Sequence, residues 1–167
     1  MVTGSIERIV PTTTEGRSIV VHNSYAEALY CVWDAATGSQ LAVFGARSGR
    51  IAAMACAVID DRAIGVTGSE GGPVYVWDLA SGSELRVLSG HTGEVRSVAC
   101  TAVDGQPLAA TSSADNTVRV WDIATAEPVA TIHCPDDTLV LGFEPTGEIV
   151  LGVDGDLVVL EPSRDGI

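Results

Sequence analysis

Lysine is absent from this 167-residue chain: all nine basic side chains are arginine, and 22 acidic ones bring the formal net charge to −13. A phosphate backbone is bound by cations that neutralise it, so this balance excludes nucleic acid as a partner. The acids supply a solubilising surface, and a basic protein surface would complement it. They are uneven, with eight from His133 onward against one arginine. Lack of lysine beside plentiful Ala, Gly, Val and Arg also points to a GC-rich bacterial genome. Long apolar runs are missing too. None approaches the roughly 20 residues a membrane-crossing helix needs, and the opening MVTGSIERIV lacks the basic and apolar regions of a secretory leader. No membrane partner is expected.

Reactive groups are equally sparse. The four cysteines, Cys31, Cys56, Cys100 and Cys134, show no CxxC spacing and no neighbouring cluster of His ligands, so they are expected to be buried free thiols in a cytoplasmic protein. His22, His91 and His133 are the only histidines, and none is spaced to pair with a Ser or Cys nucleophile. There is no glycine-rich phosphate loop, and Thr67 stands where Gly68-Ser69-Glu70-Gly71 would need another glycine to form a nucleophile elbow. Asp154-Gly155-Asp156 lacks the later ligands of a calcium loop and is expected as a hairpin turn, and His133-Cys134 with Asp136 and Asp137 as a solvated loop. The expectation is therefore no enzyme, no metal and no cofactor.

What is present is a repeat. Val-Trp-Asp occurs at Val32-Trp33-Asp34, Val76-Trp77-Asp78 and Val120-Trp121-Asp122, so the three tryptophans stand 44 and again 44 residues apart. A period in the forties marks a repeat architecture, because one such unit cannot bury its own apolar faces. Turn residues align behind each anchor at Thr37-Gly38, Ser81-Gly82 and Thr125-Ala126, and Cys56 aligns with Cys100. Each unit has short stretches rich in Val, Ile, Thr and aromatics between Gly, Asp, Asn and Ser turns, which predicts four strands. In the third unit they fall near Val95 to Thr101, Leu108 to Ser113, Thr117 to Asp122 and Pro128 to Ile132. Apolar residues on both faces of the third strand, as in Val74-Tyr75-Val76-Trp77, predict sheets covered on both sides, and nothing favours a long helix.

These residues resemble the tryptophan-aspartate (WD) repeat family of β-propellers, of bacterial type, in which four-stranded blades pack around a channel. The resemblance implies an all-β fold: one domain over 1–167, a propeller arc of about four blades near 5–45, 50–89, 94–133 and 138–162, the last lacking its outer strand. It also implies a hydrogen-bonded tetrad in unit three, formed by His91, Ser113 (or Thr111), Asp115 and Trp121. Trp33 and Trp77 anchor the other blades, and Asp34, Asp78 and Asp122 cap their own turns. Unit two keeps Trp77 and Ser69 but has Arg47 and Gly71 where the His and Asp belong. In unit one Glu27 stands at the Asp position, and unit four keeps Asp154 but has Leu160-Glu161 for Trp-Asp and Pro135 for the His.

An arc of slightly under four blades leaves one face of its first blade and one of its last uncovered, which monomers rarely tolerate. The expected remedy is oligomerisation, two copies joining head to tail as a homodimer that forms an eight-bladed ring. A self-closed four-bladed ring and an excised piece of a longer propeller are the alternatives. Family resemblance implies a protein-protein interaction scaffold that binds through exposed loops, with Tyr25, Glu27, Arg47, Arg50, Glu70 and Glu94 as candidate contacts. The alternative function is a regulatory or sensor module of a larger bacterial kinase, protease or nucleotide hydrolase.

Overall fold

A computed structural model of the chain describes residues 6–14, 17–24, 29–45, 50–134, 138–144, 147–153 and 156–160. Fifteen strands make four antiparallel sheets, and no helix occurs among the described residues. Sheet one comprises β1 (Ile6–Thr14), β2 (Arg17–Ser24), β3 (Leu29–Asp34) and β4 (Gln40–Gly45). Sheet two comprises β5 (Ile51–Ile59), β6 (Arg62–Ser69), β7 (Val74–Asp78) and β8 (Glu84–Leu88). Sheet three comprises β9 (Val95–Val103), β10 (Gln106–Ser113), β11 (Thr117–Asp122) and β12 (Pro128–His133). Sheet four has three strands, β13 (Thr138–Phe143), β14 (Ile149–Val153) and β15 (Asp156–Leu160). Strands pair in chain order within every sheet.

Turn chemistry sets the strand ends. β9 and β10 each run two residues beyond the predicted bounds, because Asp104 (φ 50°) and Gly105 (φ 81°) form a two-residue left-handed turn that leaves the rest of the hairpin to pair. At the other hairpin of each unit the aspartate of the Trp-Asp pair folds back. Asp34 Oδ1 accepts from the backbone N–H groups of Ala36 and Thr37, both at 2.9 Å. Asp78 Oδ1 accepts from Ala80 and Ser81, and Asp122 Oδ1 from Ala124 and Thr125. The residue that closes this turn has φ of 68° at Gly38 and 72° at Gly82, and Ala126 adopts 65° in the third unit.

Successive sheets pack face to face through three apolar cores. The first core joins Ile19, Val21, Tyr30 and Val32 of sheet one to Met54, Tyr75 and Trp77 of sheet two. The second joins Val66, Val74 and Val76 of sheet two to Val95, Ala109 and Trp121 of sheet three. The third joins Ala110, Val118 and Val120 to Leu141, Ile149 and Leu151 of sheet four. Thus the tryptophan side of a third strand faces the preceding sheet, and the alternate residues face the following one, as the two-residue strand period requires. Inner strands follow suit: β5 lies against β1 and β9, and β9 against β13. Among the described residues β13 makes no comparable contact with β1, so the four sheets form an open propeller arc rather than a self-closed ring. The last sheet has no described fourth strand.

The four cysteines form no disulfide with one another. Cys134 is buried, and Cys31, Cys56 and Cys100 are half-buried rather than fully enclosed. Cys56 and Cys100 sit on inner strands, whose one edge has no strand neighbour. Burial still pushes the Cys56 thiol up to about 12, and raises Cys100 likewise, which favours the protonated thiol at both.

Candidate interaction face

Antiparallel pairing in chain order divides the connections between the two rims of the arc, one at each end of the strands. The hairpins after the first and third strands lie at one end. The loops before the first strand and after the second lie at the other, and among the described residues these carry Arg50, Glu70 and Glu94.

In unit three the loop end is fixed by a buried network. Trp121 Nε1 donates to Thr111 Oγ1 at 2.9 Å, and Thr111 Oγ1 lies 2.7 Å from His91 Nε2. His91 Nδ1 lies 2.9 Å from Asp115 Oδ2. One set of protons satisfies every atom: neutral His91 donates from Nδ1 to the carboxylate and accepts the Thr111 hydroxyl proton at Nε2. Asp115 also accepts from the Thr92 N–H at 3.0 Å and from the Thr117 hydroxyl at 2.6 Å. Burial alone would raise the Asp115 carboxyl, but Thr117, Thr92 and His91 together hold it well below the usual carboxylate range. Burial lowers His91, whose side chain is fully enclosed, and Asp115 only partly offsets this.

The hydroxyl in this network belongs to Thr111, which corrects the assignment of Ser113. Both point to the same face of β10, but Ser113 lies two residues, about 6.8 Å, further along the strand and beyond reach of the indole. Ser113 Oγ instead donates to the Gly93 carbonyl at 3.0 Å and accepts from the Asp115 N–H. Unit two repeats half of the arrangement: Trp77 Nε1 donates to Thr67 Oγ1 at 2.9 Å, and Ser69 turns to the Pro73 carbonyl. The signal for these threonines was in the sequence, since each stands ten residues before its tryptophan. In unit one the Trp33 indole N–H is buried with no hydrogen-bond partner among the described residues, and His22 stacks on its ring with centroids 6.1 Å apart.

Around this support lie the loop candidates. Arg50 Nε and Glu70 Oε1 are 3.0 Å apart, both exposed, so two residues expected as separate contacts form one ion pair. The Glu70 N–H also donates to the Arg50 carbonyl, and Ala114 repeats that bond to Glu94, whose side chain is exposed. Gly72 (φ 100°) lets unit two approach unit three here: a Cβ on it would sit 2.5 Å from the His91 carbonyl oxygen. Tyr25, Glu27, Arg47, Pro135, Asp136, Asp137, Asp154, Gly155 and Glu161 lie outside the described residues, and His133 is exposed at the end of β12.

The opposite end offers a groove of about 220 Å³ between sheets two and three, floored by Ile59, Val76 and Ile123. Its Arg62 is held by Asp78 at 2.9 Å. Among the described residues no three His, Cys, Asp or Glu side chains converge to hold a metal ion.

Residues 82–122, from the last turn of sheet two to the end of β11, match the WD domain, G-beta repeat family. The whole fold is similar to the crystal structure of the computationally designed Ika4 protein, at 26% identity and a TM-score of 0.74, covering 96% of this chain and 92% of that one. No curated protein matches the sequence.

Proposed function

We propose that this chain, a propeller arc carrying a WD repeat, is a non-catalytic protein-interaction scaffold that works in the cytoplasm as an eight-bladed ring of two copies. The observation that carries the scaffold reading is the loop end of sheets two and three. There Arg50, Glu70 and Glu94 are exposed on loops braced by the His91 and Asp115 network and by the contact at Gly72. A rigid, polar loop face on a packed β framework suits binding of a folded protein or peptide. A structural rather than catalytic role for His91 is supported by the hydrogen bonds that both of its ring nitrogens make in the interior. Net charge favours a basic protein partner and disfavours nucleic acid. The ring reading is supported by the open arc, in which the first and last sheets do not meet. Service as a regulatory module of a larger enzyme rests on family resemblance alone and is the second reading.

Photo-crosslinking tests the scaffold. A benzophenone side chain placed at Thr92 or Glu94 should trap discrete protein adducts in cells, and Arg50→Glu should remove them. The same probe at Asp60 or Asp104, at the far end, should trap fewer. Equal adduct patterns at both ends, or none at the loop end, would overturn the reading; a covalently fused or adjacent catalytic domain as the sole adduct favours the module.

A further inference from the structure

The three contacts between successive sheets have one form. On the leading side stands a pair of alternate residues from a third strand: Tyr30 and Val32, then Val74 and Val76, then Val118 and Val120. All six are at most 6% exposed. Sheet four has the same pair, Leu157 and Val159, and these are 78% and 53% exposed. They oppose Leu160, which packs back on sheet three, so it is the leading face of sheet four that no described residue covers. Gly142 and Val150 belong to that face by their register with Val159, and a Cβ on Gly142 would meet nothing within 4 Å.

The trailing side of the first two contacts is the tryptophan face, and in the third Leu160 stands in the tryptophan's place. Tyr75 and Trp77 are 6% and 4% exposed under sheet one, and Trp121 is fully buried under sheet two. The equivalent face of sheet one holds Val20, His22, Cys31 and Trp33, all half-buried, and the Trp33 indole N–H has no acceptor among the described residues. The chain therefore carries both halves of a fourth contact at opposite ends of the arc.

We propose that the Leu157 and Val159 face of one copy seats on the Trp33 face of a second copy, and that the second copy returns the same contact to the first. This assignment rests on the ring reading above and names the surfaces that close it. The contact is heterologous, one face meeting a different one, yet it closes after a single twofold step. A second copy is the occupant because every internal contact pairs the leading face of one sheet with the trailing face of the next, so the closing contact continues an interface the fold already makes three times.

Sedimentation velocity of the full chain tests this. The wild type should run at twice the 17.2 kDa chain mass at micromolar concentration. Trp33→Glu and Leu157→Glu should each run as monomers, because either change damages both contacts of the ring. Mixing the two variants should restore a dimer, since one of its two contacts then joins intact faces. Val20→Glu and Val159→Glu serve as second variants on each face, and far-UV circular dichroism checks that all keep their strands. A monomeric wild type overturns this assignment and the ring together. A dimer that survives the substitutions overturns the assignment alone if its small-angle scattering fits a closed ring. Loss of dimer on only one face, or no recovery on mixing at the highest soluble concentration, also overturns it.

Discussion

With both ring nitrogens committed, His91 is a neutral group in the folded chain, and protonating it costs stability. Its native pKa lies below the value of about 6.5 in an unfolded chain. The contribution is therefore complete above pH ~6.5 and declines as pH falls through the window down to the lowered native value. Asp115 acts in the same direction further down: its native pKa is depressed, so its contribution is full above about 4 and lost as pH falls below that. The melting temperature of the wild type should drop between pH 7 and pH 5, and the drop should be smaller in His91→Gln; equal slopes in the two would contradict the neutral histidine. At this scale the sequence was readable in part. His91, Asp115 and Trp121 follow from their places in the repeat, but Thr111 and Ser113 are both hydroxyls on one face of β10, and only distance along the strand separates them. The pairing of Arg50 with Glu70 was hidden for a related reason, because it joins loops 20 residues apart that come together only when β5 and β6 pair.

Between elements the deciding quantity is the gap from sheet to sheet. Gly68 on β6 faces Val95 so closely that a Cβ would sit 2.3 Å from its Cγ1, and the neighbour is a β-branched residue buried in the second core. Such a residue has no spare rotamer to yield. Gly68→Ala should destabilise the fold by about 1–3 kcal/mol, the usual cost of overpacking, read as a lower urea midpoint. Gly142→Ala, on the uncovered face of sheet four, should be tolerated by the isolated chain. Element existence was legible because the 44-residue spacing places every Trp-Asp on a third strand and every turn behind it. Sheet spacing was not, since no pattern of residue types says that Gly68 meets Val95 across a 27-residue separation.

For the whole molecule, the order of sheets sets an order of stabilities. Sheets two and three are buried on both faces, whereas sheets one and four are each covered on one. Local opening costs least where least apolar area is exposed by it, so the arc should loosen from its ends inward. Amide hydrogen exchange should accordingly be slowest in β6, β7, β10 and β11 and fastest in β2 and β15. If two copies cover each other's ends, protection of the outer sheets, but not of the inner ones, should rise with protein concentration. Concentration-independent exchange throughout would contradict that linkage.

The directional hydrogen-bond chain from Trp121 to Asp115 has a spectroscopic consequence. Because the His91 Nδ1 proton is shared with a carboxylate and shut away from water, it should exchange slowly and resonate far downfield in a proton spectrum. That single resolved line would report on the third sheet alone, and its loss on warming would time the opening of the core on either side of it.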